Sequence, residues 1–281
     1  MKEDIEQILR KYYFKIFDNT SIFYWTESTE NETFICPYFE NENQLDKIIS
    51  IISKNDSNWR KCYSLKYDIE LISNYMKKGF MVIVQRKYVD NEYNLLVEKT
   101  AEIKITVDFL TIVSYKNIPI INLSNFIIPK SISRLLNRYK LLYDKNFHLI
   151  LDECAKYHEY YWLTPKLVKC FKEIYNEKKA KMVSFELYDE EDNLVAGEFG
   201  VLENNIYISY TGFHTKSSTG IVQMILTFKF LYESGVNLCV LPGTKDDHKN
   251  MEYKYKLGAY DVSREQYFKI YNENTPNGYF A

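Results

Sequence analysis

Apolar and polar positions alternate most clearly between Lys181 and Tyr232. Met182–Tyr188 and Leu194–Val201 are short apolar runs around a polar turn at Asp189–Asn193, and Ile206–Gly212 follows a second turn at Glu203–Asn205. Gly220–Tyr232 then changes to helical spacing. Strand, turn, strand, turn, strand, helix predicts an antiparallel meander that feeds a helix. The Thr215–Thr219 connection is small and polar, and a loop ahead of a helix N-terminus is where an acyl donor or phosphate would sit.

The rest of the chain reads less sharply. Ile5, Ile8, Leu9, Tyr12 and Ile16 form one face of a predicted helix over Glu3–Phe17. Ser21–Trp25 and Thr33–Tyr38 read as strands, Asn41–Ser53 as a helix, and Asp68–Lys78 as an amphipathic helix stopped by Gly79. Phe80–Gln85, Asn94–Val97, Glu102–Val107 and Thr111–Tyr115 read as further strands. Pro129 opens a predicted helix over Lys130–Tyr139 by the N1 preference of proline. Lys130, Arg134 and Arg138 on it form either a solvated face or a phosphate-facing patch. Asn146–Tyr157 and Pro165–Asn176 are two more helices, the second with Thr164 as its N-cap. Between them lies the aromatic run Tyr160–Trp162, either core or a stacking platform. Beyond the meander come a strand at Val236–Leu241, a short helix at Met251–Lys256 and a strand–helix pair from Tyr260 to Ile270. The pattern predicts an α+β fold. Residues 1–66 form an N-terminal α+β subdomain or extension, 67–180 a region of connecting helices, and 181–281 the meander domain.

Composition changes this picture little. A chain of 281 residues can bury a real core. No window of about 18 uncharged apolar residues exists, so no membrane span is expected. The N-terminus carries acids and lacks the apolar core of a signal peptide. Five cysteines at wide, unpatterned spacings suggest neither a disulfide framework nor a metal site. A soluble, cytoplasmic protein with isolated thiols is the expectation. The net charge of −2 gives no global signal for nucleic acid.

Motif tests narrow the chemistry. The phosphate-binding patterns GxxxxGK[ST] and GxGxxG, the HExxH zinc motif and the GxSxG nucleophile elbow are all absent. The four histidines have no acidic partners at ligand spacing, so no metal is expected. Strand meander, helix, strand, helix and closing strand is the order of a GNAT-type acyltransferase domain. At the loop where such domains cradle a coenzyme A pyrophosphate, this chain reads His214-Thr215-Lys216-Ser217-Ser218-Thr219-Gly220, without the glycines that backbone approach needs. Coenzyme A is therefore not expected.

Four places carry a more specific likeness. They are Phe126–Leu136, Tyr161–Pro165 with the helix after it, Ser184–Glu186 followed by Leu194–Val201, and Leu257–Ala259. In this order they resemble the leucyl/phenylalanyl-tRNA–protein transferase family. Those are GNAT-type enzymes that use aminoacyl-tRNA in place of acyl-coenzyme A. The resemblance implies transfer of an aminoacyl group from charged tRNA to the amino terminus of an acceptor protein, in one displacement and without metal or cofactor. The alternatives are a GNAT-fold acyltransferase with another donor or acceptor, and a degenerate member that binds a peptide or protein. The family's segment FxGESMFS falls on Tyr207–His214, with Tyr210 at its acidic position. Its DxQ pair falls on Cys239–Gly243, where neither residue type is present. By this likeness Tyr210, Glu186 and Asp247 are the catalytic candidates. Trp162, Tyr207, Ser209, Thr211 and Phe213 are candidates to bind substrate, and Lys130, Arg134 and Arg138 to bind tRNA.

Overall fold

The period-two segments pair into two seven-stranded sheets in a computed structural model that describes residues 7, 15–16, 22–28, 33–52, 61–90, 95–96, 103–113, 115–203, 205–245 and 249–274. The first sheet contains β1 (Lys15–Ile16), β2 (Phe23–Ser28), β3 (Thr33–Tyr38), β4 (Lys61–Ser64), β5 (Met81–Asp90), β6 (Leu95–Leu96) and β7 (Ile103–Val113), in the order β1-β2-β3-β4-β7-β5-β6. The second contains β8 (Asn117–Asn122), β9 (Lys140–Tyr143), β10 (Met182–Tyr188), β11 (Leu194–Glu203), β12 (Ile206–His214), β13 (Leu238–Val240) and β14 (Tyr260–Ser263), in the order β14-β8-β13-β12-β11-β10-β9. Each sheet mixes antiparallel pairs with one parallel pair, β3–β4 in the first and β12–β13 in the second. The fold is α+β. The meander, the helix after it and the parallel strand β13 have the GNAT-type order the sequence predicts. Strands on both sides of residue 66 share the first sheet, and strands on both sides of residue 180 share the second.

Among the described residues, the helices are α1 (Glu42–Ile52), α2 (Ile69–Lys77), α3 (Lys130–Ser133), α4 (Phe147–Tyr157), α5 (Pro165–Asn176), α6 (Thr219–Glu233), α7 (Glu252–Lys256) and α8 (Arg264–Glu273). Asp68 and Asn146 cap α2 and α4 through side-chain bonds to the amides of Leu71 and Leu149. Ser263 and Gln266 form a reciprocal capping box on α8. Helices cover both faces of the second sheet. On one face α4 and α5 bury Ile150, Phe171 and Ile174 with Phe199 and Val201. On the other, α6 buries Val222, Ile225 and Phe228 with Phe185 and Val195. A sheet covered on both sides has few places for polar groups, so Glu186 and Glu198 stand out as buried carboxylates.

Several sequence expectations need correction. Two strands were expected over 102–115, but β7 runs unbroken from Ile103 to Val113 because Asp108 pairs across the ladder with Arg86, at 2.6 and 2.9 Å. The helix expected over Lys130–Tyr139 is only the four-residue α3 followed by a 3₁₀ turn at Leu136–Arg138, with Pro129 as N-cap rather than first helical residue. Ser133 Oγ donates to the Lys130 carbonyl and competes with the helical ladder. Strand β8 went unread because Pro119 interrupts its apolar run. That proline lies opposite Asp261 of β14, and its carbonyl accepts from the Leu241 amide. Thr164 is the N-cap of α5, but its buried hydroxyl makes no capping bond. The helix expected over 3–17 lies almost wholly outside the described residues, and Lys15–Ile16 is a strand.

Candidate functional site

The site is built by two strands that part company. β12 and β13 pair in parallel only from Ile206–Leu238 to Ile208–Val240. Pro242, which has no amide hydrogen, and Gly243, with φ +88°, then turn the chain away. β12 continues without β13 to His214, still paired with β11. Its pairing with β11 also slips at this point. Phe199 faces Thr211 and Gly200 faces Ser209, which leaves Tyr210 as a bulged residue. Gly200 is required here, since a Cβ on it would lie 2.3 Å from the Ile208 carbonyl oxygen and 2.6 Å from the Tyr207 ring.

A cavity of about 520 Å³ fills the gap between the diverging strands. Ser209–His214 of β12 form one wall, and Leu241 and Pro242 the other. The first turns of α6 and the residues Asn250–Lys254 close the sides, and Tyr157 and His158 stand at the end of α4.

Glu198, on β11 opposite Gly212, lines this cavity and is only 4% exposed. Its Oε1 accepts from the Tyr207 hydroxyl at 3.3 Å and its Oε2 from the Ser209 hydroxyl at 3.2 Å. The Gln223 side chain on α6 is a third hydrogen-bonding partner. No ion pair to Glu198 is present among the described residues. Burial outweighs the three hydrogen bonds and pushes its carboxyl up to about 7. Nearby, His158 Nε2 lies 2.6 Å from Thr211 Oγ1, and burial lowers the affinity of the imidazole for a proton. Lys254 is buried, and its ammonium donates to the carbonyls of Leu241, Pro242 and Gly243 at 3.1, 2.7 and 2.8 Å, which fixes the turn beyond β13.

The structure gathers some of the residues singled out from sequence and disperses others. Ser209, Tyr210, Thr211 and Phe213 line the cavity. Tyr207 lies beneath it, fully buried, with its hydroxyl on Glu198. The Tyr210 hydroxyl donates to the Phe80 carbonyl at 3.0 Å and accepts from the Val82 amide at 3.3 Å, so it is directed into the junction with the first sheet. Trp162 is outside the lining, with its ring 6.3 Å from that of His158 and its carbonyl accepting from the Val84 amide. Glu186 is remote from the cavity. Its Oε1 accepts from the amides of Lys145 and Asn146 at the start of α4, a favourable place for a negative charge. Lys130 and Arg134 are exposed and Arg138 pairs with Glu190 at 3.4 Å, and none of the three lines the cavity. Asp247 lies outside the described residues. In the connection before α6, Lys216 is held by Asp189 at 2.6 Å, which draws that carboxyl down to about 2.

Glu198, His158, Gln223 and Lys254 were not singled out from sequence. The available signal was Glu198 itself, a charge at the centre of the apolar run Leu194–Val201.

The model of a family described as leucyl/phenylalanyl-tRNA protein transferase matches residues 120–272. Among solved structures, the chain is similar to FemX, with 8% identity, a TM-score of 0.43, and 91% of this chain and 88% of that chain covered. It is also similar to L-PGS from Bacillus licheniformis, with 11% identity, a TM-score of 0.37, and 94% and 92% covered.

Proposed function

The chain belongs to the leucyl/phenylalanyl-tRNA protein transferase family, and from that premise we propose that it moves an aminoacyl group from a charged tRNA to the amino terminus of an acceptor protein. The observation that carries this reading is the cavity at the β12–β13 divergence, which lies inside the matched span. Its volume is in the range of small-ligand sites, roughly 300–1,000 Å³. Phe213, Ile221, Met224 and Met251 give it an apolar side suited to a hydrocarbon side chain, while Ser209, Thr211 and His158 give it polar groups for an ester.

The reaction balances as a single displacement. The acceptor nitrogen bonds to the ester carbonyl carbon, the carbon–oxygen bond to the ribose breaks, and the ribose hydroxyl leaves with a proton that the amine has lost. Holding two reactants in line supplies much of the acceleration in such a reaction. Lys130 at the start of α3 and Arg134 at its end, both exposed, are the proposed contacts to the tRNA backbone, with Arg138 joining them when its pairing with Glu190 opens.

The test is incubation of the purified protein with tRNA charged with labelled Leu or Phe and a peptide beginning with Arg or Lys. Label in the peptide is expected. Its absence, where a family control transfers, would sink the reading for that substrate pair. Binding of charged tRNA without transfer to any amine would leave a binding module instead.

A further inference from the structure

We propose that Glu198 is the proton acceptor of this transfer, held for that role at the floor of the cavity by Tyr207, Ser209 and Gln223. The inference rests on the transferase reading above. Aminolysis requires a group that removes a proton from the attacking nitrogen as the new bond forms, within reach of the ester.

The other cavity groups are engaged elsewhere. The Tyr210 hydroxyl is bonded to the backbone of β5, and the Lys254 ammonium to three carbonyls. His214 Nδ1 is 3.3 Å from the Tyr157 hydroxyl on an exposed rim. His158 Nε2 is held against Thr211. Glu198 is different. It is a carboxylate 4% exposed, with neutral hydrogen-bond partners on both oxygens and no ion pair among the described residues. A buried carboxylate without a cation is costly to the fold, and its partners are side chains, whereas Glu186 holds the backbone amides of Lys145 and Asn146 at the start of α4. Three donors from two elements fix its position, and it opens on the space where ester and amine would meet.

Its acidity fits the task. A carboxyl at about 7 lies close to a peptide α-amine, roughly 7.7–8.0, so proton transfer between them is nearly balanced. The titratable groups around it are Tyr207 on β12, Cys154 on α4, Cys239 on β13, Tyr253 and Lys254 on α7, and His158 beyond the end of α4. Burial keeps the tyrosines and cysteines neutral through the range in which Glu198 titrates. His158 and the acceptor amine itself are therefore the competing titrants of the rate profile.

Single-turnover transfer from charged tRNA to a peptide, measured from pH 5.5 to 8.5, tests the assignment. Glu198→Gln is expected to lose at least about 100-fold in rate, the usual scale for a general base, with tRNA affinity within about twofold of wild type. The wild-type rate should rise through two titrations, one at about 7 from Glu198 and one at roughly 7.7–8.0 from the acceptor amine, and only the one at about 7 should vanish in Glu198→Gln. Ser209→Ala keeps the carboxylate but removes a donor to it, so its midpoint should move to higher pH. This second variant reports on Glu198 even if Glu198→Gln does not fold. Isotope-detected titration of the glutamate side chains gives a readout independent of activity, and a midpoint for Glu198 near 4.5 would overturn the assignment. So would wild-type rates in folded Glu198→Gln, which would leave the transferase reading standing. Wild type that transfers nothing would remove both.

Discussion

At the scale of single residues, one carboxylate sets a pH dependence that can be worked out with its sign. The folded state holds Glu198 at about 7, above an unfolded value near 4.3. Between those values the native state binds the proton that the unfolded chain has released. Stability from this group is therefore complete below about pH 4, declines as pH rises, and is lost once pH passes 7. The size of the effect is about 4 kcal/mol. Glu198→Gln, which cannot ionise, is expected to close this gap: its melting temperature should gain on wild type between pH 5 and 7 and level off above that. Parallel melting curves across that range would speak against a buried, uncharged Glu198. The charge inside the Leu194–Val201 run was visible in the sequence. Its placement in a cavity was not, because β11 is covered on both faces and alternation alone assigns no face to such a strand.

Among the elements, the pair β12 and β13 decides where the site lies. Three rungs of parallel pairing, a bulge at Tyr210 and a proline at 242 separate the strands over a few residues. The bulge depends on Gly200, whose hydrogen allows the Ile208 carbonyl and the Tyr207 ring to come close. Gly200→Ala should force these groups apart and cost about 2–3 kcal/mol or more, read by urea unfolding. It should also disturb Tyr207 and through it the Oε1 side of Glu198, so the rate profile is expected to shift together with stability. Unchanged stability would show that the bulge can relax around a methyl group. The meander, the approximate extents of α2 and α4 and the start of α5 were legible from sequence, since turns and helical periodicity are local signals, whereas the capping bonds of Asp68 and Asn146 were not read there. The bulge was not, since register depends on which residues face each other across strands.

For the molecule as a whole, one turn of the first sheet gathers hydrogen bonds from the part that carries the second. Tyr271, Tyr267 and Tyr210, all from the part that carries the second sheet, donate hydroxyl hydrogen bonds to the carbonyls of Lys77, Gly79 and Phe80. These carbonyls lie just where α2 ends and β5 begins, where a helix leaves acceptors unsatisfied. Gly79, with φ +83°, gives room for the Tyr267 hydroxyl, which lies 2.7 Å from where a Cβ would stand. Tyr210→Phe and Tyr267→Phe are therefore each expected to cost about 1–2 kcal/mol of stability, while folded Tyr210→Phe keeps its transfer rate within about twofold. A large loss of rate in folded Tyr210→Phe would return its hydroxyl to the chemistry. The sequence by itself determined the α+β class, the meander with its following helix, and the likeness to one transferase family, because those rest on periodicity and on short motifs. Only the tertiary structure decided that the Tyr210 hydroxyl joins two sheets and that Glu198 faces the cavity. The partners concerned, Phe80 for Tyr210 and Gln223 for Glu198, are far away in the chain and come together only through strand register and packing.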